Sequence, residues 1–211
     1  MTYQIKEIFY TLQGEGINSG RPAVFCRFSG CNLWSGKPLD RDNAICKFCD
    51  TDFVGTNGSL GGKYNSANKL SKTISEIWPK KNNIKKFVVL TGGEPMLQVD
   101  KNLIDALHLY EFEVAVETNG TISCPDIVDW ICVSPKYGSK LIQKKGEELK
   151  LVFPQNGVYP NKFLNLDFKY FLIQPMDGPL ALENTKKAID FCKNNPKWQL
   201  SIQSHKLLGI R

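Results

Sequence analysis

Seven short apolar runs, each ended by polar or turn-forming residues, constrain the fold of this chain more than any other feature. They are rich in β-branched and aromatic residues and cover positions 23–28, 87–91, 113–117, 130–134, 149–153, 170–174 and 198–202. Runs of this length and composition predict β-strands. Several are apolar at nearly every position, which is typical of parallel strands covered on both faces.

Helical patterns lie between some of these runs, at positions 66–78, 99–110 and 180–194, whereas 120–129 and 154–169 are too short or irregular for a full helix. Strands that alternate with helices form right-handed βαβ units, so the chain is predicted to be an α/β protein. About six parallel strands with few helices indicate a reduced, incomplete TIM-like barrel. We expect one domain over residues 1–211, with an insertion at about 31–65. The active site of such a barrel lies at the carboxyl ends of its strands.

Composition narrows the function classes. The 27 Lys and Arg against 21 Asp and Glu give a net charge of +6, but the lysines are scattered in pairs, so direct nucleic-acid binding is not expected. No apolar run approaches a membrane span, and the amino terminus lacks a secretory signal. A cytoplasmic location is therefore predicted. The seven cysteines, an odd number, are then expected to be metal ligands or core thiols rather than disulfides.

Three cysteines have ligand spacing. Cys31, Cys46 and Cys49 form a C-x14-C-x2-C pattern, and Cys31 begins the loop after the strand at 23–28. Three thiolates can hold three irons of a [4Fe–4S] cluster and leave the fourth open. Adding Cys26 gives a four-thiolate zinc site as the alternative, and unrelated thiols are a third. Strand alternation favours the cluster, because it places Cys26 on the face opposite Arg27, as a core thiol. A core thiol is also expected at Cys132, and structural roles at Cys124 and Cys192.

Polar segments follow four of the predicted strands. They contain Thr91, Gly92, Gly93, Glu94, Glu117, Ser134, Pro135, Lys136, Gln174, Pro175, Met176 and Asp177. The carboxyl ends of parallel strands meet at one edge, so we expect these segments to converge on one pocket. The paired glycines would let backbone approach a ligand closely.

Three further positions are candidates for the same pocket. Glu15 lies in a glycine-bracketed polar loop at 10–16 and is either a solvated charge or an acceptor for ligand donors. Arg27, pointing into the barrel, would bind an anion such as a substrate carboxylate. His205 follows the last strand and could reach the pocket, whereas His108 lies on a predicted helix and is expected to be structural.

Together these motifs resemble the radical S-adenosylmethionine superfamily and, more narrowly, its 7-carboxy-7-deazaguanine synthases. The resemblance runs nearly end to end and is carried by positions 9–16, 23–31, 49–53, 91–95, 117–120, 134–136 and 174–178. The usual superfamily spacing is C-x3-C-x2-C, and the longer spacing here resembles a known subset of the family. The resemblance implies conversion of 6-carboxy-5,6,7,8-tetrahydropterin to 7-carboxy-7-deazaguanine with loss of ammonia, on a pathway to queuosine or another deazapurine.

The resemblance also implies a role for each motif. The cluster would be held by Cys31, Cys46 and Cys49, and Mg²⁺ by Thr51. S-adenosylmethionine would contact Phe48, Cys49, Asp50, Gly92, Gly93, Glu94, Ser134, Pro135, Lys136, Gln174, Pro175, Met176 and Asp177. The pterin would contact Leu12, Gln13, Gly14, Glu15, Arg27, Thr91, Glu117, His205 and Arg211, the last through a terminal carboxylate. A homodimer and an electron donor such as flavodoxin or ferredoxin are implied as partners. A glycyl-radical activating enzyme and a zinc-stabilised binding module are the alternatives.

Overall fold

The structure is a computed structural model that describes residues 2–80 and 84–211. Its strands are β1 (Tyr3–Leu12), β2 (Pro22–Phe28), β3 (Gly62–Tyr64), β4 (Lys86–Gly92), β5 (Phe112–Thr118), β6 (Trp130–Val133), β7 (Lys145–Phe153), β8 (Asp167–Pro175) and β9 (Trp198–Leu200). They form one sheet of nine strands in the order β3-β1-β2-β4-β5-β6-β7-β8-β9. Strand β1 is antiparallel to both of its neighbours, and every pair from β2 to β9 is parallel.

The prediction of an α/β fold with a mostly parallel, incomplete barrel is confirmed. All seven predicted strands are present as β2 and β4 to β9. The sequence missed β1 and β3, which add an antiparallel edge. The predicted polar loop at 10–16 was wrong in its first half, because β1 pairs with β2 as far as Leu12 and the loop begins at Gln13.

In the part of the chain that the structure describes, four α-helices accompany the sheet: α1 (Ala67–Glu76), α2 (Lys101–Leu109), α3 (Ala181–Asn194) and α4 (Ser204–Leu208). The first three were predicted. Ser66 and Asp100 begin α1 and α2 by accepting the backbone N–H groups of Lys69 and Leu103, at 3.2 and 2.9 Å. Position 120–129 holds no helix, and 154–169 holds only a 3-10 turn at Pro160–Phe163. Within the described ranges, no helix has the length and apolar character required to cross a bilayer.

The two faces of the sheet differ in chemistry. The outer face carries the main core, in which Val24, Cys26 and Phe28 pack with side chains of the neighbouring strands and helices. The inner face begins with an apolar layer in which Phe25, Val89, Ala115 and Trp130 are neighbours by strand register. Two positions further along each strand, towards the carboxyl ends, the inner face becomes polar.

The opposite, amino-terminal end of the inner face is closed by an ion pair. Arg21 donates to both carboxylate oxygens of Glu113, each at 2.9 Å, and its guanidinium lies 3.8 Å from the centre of the Phe87 ring. This bidentate pair fixes one end of the barrel interior.

Candidate active site

A cavity of about 380 Å³ opens at the carboxyl ends of the parallel strands. This volume is in the range of small-molecule sites. The cavity is lined by the loop after β1, the ends of β2 and β4 to β8, the cysteine-bearing insertion and α4. Every site residue predicted from sequence lines it except Glu94 and Pro135. The polar strand ends therefore converge on one pocket.

The insertion folds back so that its two cysteines rejoin Cys31. The Leu33 carbonyl accepts the backbone N–H groups of Ile45 and Cys46, at 3.1 and 3.2 Å. Since Leu33 lies only two residues after Cys31, this pairing closes the intervening loop. It brings Cys46 near Cys31 although fourteen residues separate them in the sequence. Cys31, Cys46 and Cys49 all line the cavity. The Leu33 N–H also donates to the Cys31 sulfur, 3.4 Å away.

Arg41 holds the closed loop in place. Its Nη1 donates to the carbonyl oxygens of Lys47 and Cys49, at 3.2 and 2.9 Å. Its guanidinium lies 3.6 Å from the centre of the Trp34 ring, and Trp34 packs edge-on against Phe53. This cation–π contact and the two hydrogen bonds attach the cysteine pair to the apolar base of the insertion.

The thiol environments are unequal. A hydrogen bond with Cys46 lowers the pKa of Cys49 to about 6, which favours its thiolate, the form that binds metals. Burial raises the pKa of Cys31. In residues 2–80 and 84–211, no three His, Cys, Asp or Glu side chains are gathered tightly enough to hold a single metal ion.

The other cysteines lie elsewhere. Cys26 is fully buried in the core on the outer face, as predicted, and cannot join the cavity cysteines as a fourth ligand. Cys124 and Cys192 also pack with the core. Cys132 is a buried free thiol, as predicted. Strand alternation turns it to the inner face beside Glu117, where it also lines the cavity.

The two glycines at the end of β4, Gly92 and Gly93, are required by backbone packing. A Cβ atom on Gly93 would lie 2.1 Å from the Gly30 carbonyl oxygen and 2.8 Å from the Cys31 Cβ. Gly92 has φ of +138°, and a Cβ atom there would lie 2.2 Å from the Phe28 carbonyl oxygen. The close approach seats the end of β4 against the loop that carries Cys31.

Glu94 does not reach the cavity. Its side chain is fully buried and accepts hydrogen bonds from the Met96 N–H, the Thr118 hydroxyl and the Asn119 N–H, at 3.0, 2.7 and 2.7 Å. Burial raises its pKa. The side chain thus joins the loops after β4 and β5 rather than facing a ligand. Pro135 lines a separate pocket of about 180 Å³.

Lys136 is a cation beside the cysteine loop. Its Nζ donates to the Ser134 carbonyl and hydroxyl oxygens, each at 2.6 Å, and lies 5.9 Å from the centre of the Phe48 ring. Burial lowers its pKa. Lys136 therefore connects the end of β6 to the segment between Cys46 and Cys49.

The floor of the cavity is a network of buried charges. Lys150 Nζ lies 2.5 Å from Glu15 Oε2 and 3.2 Å from Glu117 Oε2. The remaining carboxylate oxygens accept side-chain amides, Gln203 on Glu15 and Gln13 on Glu117, both at 2.9 Å. The sequence analysis missed Lys150 and Gln203. The signal for Lys150 was present, since it alternates with Leu149 and Leu151 and so shares a face with Glu148.

One wall of the cavity carries two arginines and a glutamate. Arg27 Nε donates to Glu7 Oε1 at 2.9 Å, and Arg211 Nη2 donates to Glu7 Oε2 at 2.7 Å. The Thr11 hydroxyl donates to the Arg211 carbonyl oxygen at 2.7 Å. Arg27 therefore has a protein partner that the sequence analysis missed. Among the described residues, no oxygen accepts a hydrogen bond from the Arg27 Nη1 or Nη2 atom. The guanidinium can therefore still bind an anion.

Helix α4 closes the remaining side. His205, predicted to follow the last strand, lies in this short helix and packs against Gly14, where a Cβ atom would be 2.2 Å from its Nδ1. The next residue, Lys206, pairs with Asp50 and with Asp177, the latter at 2.6 Å. Lys206 was not predicted. It joins the cysteine loop to the end of β8 across the cavity mouth.

An incomplete parallel barrel with a polar, cysteine-lined cavity at its carboxyl end defines an α/β enzyme for a small-molecule substrate. No family model matches the chain. It is 61% identical to a 7-carboxy-7-deazaguanine synthase from Bradyrhizobium diazoefficiens and 59% identical to one from Burkholderia multivorans, with all of each chain covered. The crystal structure of QueE from Escherichia coli superposes with a TM-score of 0.72 at 26% identity, over 97% of this chain and 95% of that chain. The chain belongs to the 7-carboxy-7-deazaguanine synthase family.

Proposed function

We propose that this enzyme uses radical S-adenosylmethionine chemistry to convert 6-carboxy-5,6,7,8-tetrahydropterin to 7-carboxy-7-deazaguanine and ammonia. The observation that carries the proposal is the composition of one cavity. Three cysteines at one side, a guanidinium on a wall and paired carboxylates on the floor all face the same space. A carboxylated, N–H-rich ring needs partners of both charges, and this cavity offers both.

The donor set fits a [4Fe–4S] cluster with one open iron. Cys31, Cys46 and Cys49 would each bind one iron, and the Leu33 N–H already donates to the Cys31 sulfur, as amides do around such clusters. Cys26 is held in the core and leaves the fourth position free. When bound, the cluster and S-adenosylmethionine supply the one-electron chemistry that starts the reaction.

The chain's own residues would bind and orient S-adenosylmethionine. Backbone at Gly92 and Gly93, with Ser134 and Lys136, would form one side of its site; the other side would be formed by Phe48, Asp50, Gln174, Pro175, Met176 and Asp177. Lys206 holds Asp50 and Asp177 together. This bridge fixes the distance between the cysteine loop and β8, which orients the cofactor and limits the entry of water.

Opposite charges would orient the pterin. The free Nη atoms of Arg27 suit its carboxylate, and a planar guanidinium binds carboxylates in two-point fashion. Glu15 and Glu117, with Gln13, suit the N–H groups of the ring. Leu12, Gly14, Thr91, His205 and Arg211 would complete the contacts.

Thr51 would take part in binding Mg²⁺. It lines the cavity two residues after Cys49, and the neighbouring Asp52 is paired with Lys6 at 2.8 Å. Mg²⁺ keeps several waters and often uses one protein oxygen together with ligand oxygens. The Thr51 hydroxyl with the substrate carboxylate would provide such a set.

The enzyme would act as one domain and as a homodimer, with a mass near twice that of the 23.8 kDa chain by light scattering. A flavodoxin or ferredoxin would deliver electrons, and the net charge of +6 would attract such an acidic partner. Free thiols are kept reduced in the cytoplasm, which is the proposed location.

Anaerobic turnover tests the proposed function. Reconstituted protein is supplied with a chemical reductant, S-adenosylmethionine, Mg²⁺ and the carboxylated tetrahydropterin, and the products are separated by chromatography. We expect 7-carboxy-7-deazaguanine and ammonia. Release of 5′-deoxyadenosine without a deazaguanine would refute the substrate while keeping radical chemistry. Stoichiometric zinc in place of iron and sulfide would refute the chemistry as well.

A further inference from the structure

Lys150 is a buried cation for which the chemistry proposed above has no use. It lies on the inner face of β7, beside Leu172 of β8 in the strand register. Only 5% of its side-chain surface is exposed. Burying an ammonium group is costly unless opposite charges and hydrogen bonds compensate for the lost water. Its partners therefore indicate why the lysine is there.

Those partners are two carboxylates from distant parts of the chain. Glu15 comes from the loop after β1 and Glu117 from the end of β5, and each gives one oxygen to Lys150. Gln203 and Gln13 donate to the other oxygens. Each carboxylate is thus held at both oxygens. A carboxylate oxygen has two lone pairs, so both groups can still accept a further N–H donor from a ligand.

Removing the Lys150 charge would leave two carboxylates close together, with only 15% of the Glu15 and 22% of the Glu117 side-chain surface exposed. Burial alone would raise the pKa of Glu15, but the charge and hydrogen bond of Lys150 outweigh it and lower the pKa to about 2. Other titratable groups face this floor: Glu148 from β7, Cys132 from β6, His205 from α4 and Lys136 after β6. Of these, Lys136 is a cation, but its Nζ donates to the Ser134 carbonyl and hydroxyl oxygens. Like charges close together in a half-buried site cannot both ionise readily, so one carboxylate would take up a proton.

We propose that Lys150 is a positioning residue that holds Glu15 and Glu117 in place as paired acceptors for the N–H edge of the pterin ring. The inference rests on the proposed function, which supplies the pterin. With Lys150 in place the trio carries a net charge of −1. A ring that donates hydrogen bonds is attracted to this floor, and the substrate carboxylate is repelled towards Arg27. Lys150 thereby fixes which end of the substrate faces Arg27.

Direct binding measurements on the reconstituted enzyme test this role. The probe is 6-carboxy-5,6,7,8-tetrahydropterin, titrated anaerobically with S-adenosylmethionine and Mg²⁺ present. Binding is measured at one pH below and one above neutrality, because burial and a neighbouring like charge both raise the pKa of a carboxylate freed from its cation. Lys150→Met keeps the chain length of the side chain and removes the charge. Lys145→Met is the matched control, because Lys145 begins the same strand with an exposed side chain outside the cavity.

The expected result is a pH-dependent loss. At the lower pH, Lys150→Met should weaken pterin binding by about thirtyfold, the order expected for a lost charged hydrogen-bond acceptor. At the higher pH the loss should shrink severalfold, because the protonated carboxylate ionises again. The kcat at saturating pterin should change much less than KM. Wild type and Lys145→Met are measured at both pH values. They give the pH dependence of binding that comes from titration of the ligand and of groups other than the Lys150 partners.

A double variant covers the case in which Lys150→Met fails to fold. Lys150→Met combined with Glu117→Gln restores the charge balance and should fold, bind the pterin weakly and show no added pH dependence. Wild-type affinity in this double variant, or a loss in Lys150→Met that is equal at both pH values, would overturn the positioning role. If the wild-type enzyme itself does not bind the pterin, the proposed function fails, and this inference fails with it.

Discussion

Arg27 is placed to bind a negative ligand although it already has a negative partner. Glu7 lies between two guanidinium groups, those of Arg27 and Arg211, and uses one oxygen for each. At the scale of the residue, Glu7 accepts only from the Nε atom of Arg27, and among the described residues nothing accepts a hydrogen bond from its Nη1 or Nη2 atom. A substrate carboxylate would accept from these atoms.

Replacing Arg27 therefore gives the first prediction. Arg27→Ala should weaken binding of the carboxylated pterin by about ten- to a hundredfold, the usual effect of losing a charged hydrogen bond. Iron and sulfide content should stay unchanged, because Arg27 does not contact the cysteines. Anaerobic titration and metal analysis measure the two quantities.

Arg21→Ala is the control for this change. Arg21 is also a partly buried arginine in an ion pair, with Glu113, but at the opposite end of the barrel interior and outside the cavity. Its loss should lower stability without altering pterin affinity. An Arg27→Ala enzyme that binds the pterin as tightly as wild type would disprove the carboxylate contact.

At the scale of the element, the cysteine loop depends on the strand ends beneath it. The loop after β2 carries Cys31 and lies directly on the glycines that end β4, with the Glu94 N–H donating to the Gly30 carbonyl at 2.9 Å. Backbone contact at this distance leaves no room for a side chain. The position of Cys31 is thus set by two neighbouring strands.

The second prediction follows from this contact. Gly93→Ala should displace the Cys31 loop, because its Cβ atom would overlap the Gly30 carbonyl and the Cys31 Cβ. We expect iron content after reconstitution to fall by about half or more, since rigid backbone cannot relax as a flexible side chain would. Gly62→Ala is the control, as the nearest atom to its Cβ would be 3.9 Å away. Equal iron content in the two variants would contradict this account of the loop.

The elements were predictable from sequence to different degrees. The parallel strands were found because burial on both faces makes them nearly continuous apolar runs. Strand β1 was missed because it includes Lys6 and Glu7 and pairs at an antiparallel edge. Helix α4 was missed because it has only five residues, none of them buried.

The functional site, like the fold, could be predicted from sequence only in part. Polar residues after strands predicted the pocket correctly, since strand ends meet at one edge. Lys150 and Glu7 were missed because a charged residue inside a strand is usually on a solvated face, and only the closure of the barrel makes that face an interior. The direction of the Glu94 side chain depends on contacts with Thr118 and Asn119, which no local pattern reveals.

At the scale of the whole molecule, stability is linked to the buried charges. The folded chain holds Glu15 with a pKa of about 2, against an ordinary value of 4.5, because Lys150 outweighs the effect of burial. A carboxyl with a lowered pKa stabilises the fold above its unfolded pKa, and that stabilisation is lost as the pH falls towards the folded value.

Acid unfolding gives the third prediction. In metal-free protein, the free energy of unfolding in urea should fall as the pH decreases from about 4.5 to about 2. Glu15→Gln should make this fall shallower, because it removes one of the carboxyls that must be protonated. Glu76→Gln, at an exposed position on α1, should leave the slope unchanged. A wild-type slope in Glu15→Gln would contradict the depressed pKa.

The central claim is that Cys31, Cys46 and Cys49 hold a cluster with an iron open to S-adenosylmethionine. Electron paramagnetic resonance of the anaerobically reduced protein, before and after addition of S-adenosylmethionine, tests it most directly. We predict the signal of a reduced [4Fe–4S] cluster that changes shape when S-adenosylmethionine binds. The signal should be lost in Cys31→Ala and kept in Cys192→Ala, a half-buried cysteine remote from the cavity. A signal that is absent, or that S-adenosylmethionine leaves unchanged, would contradict the claim.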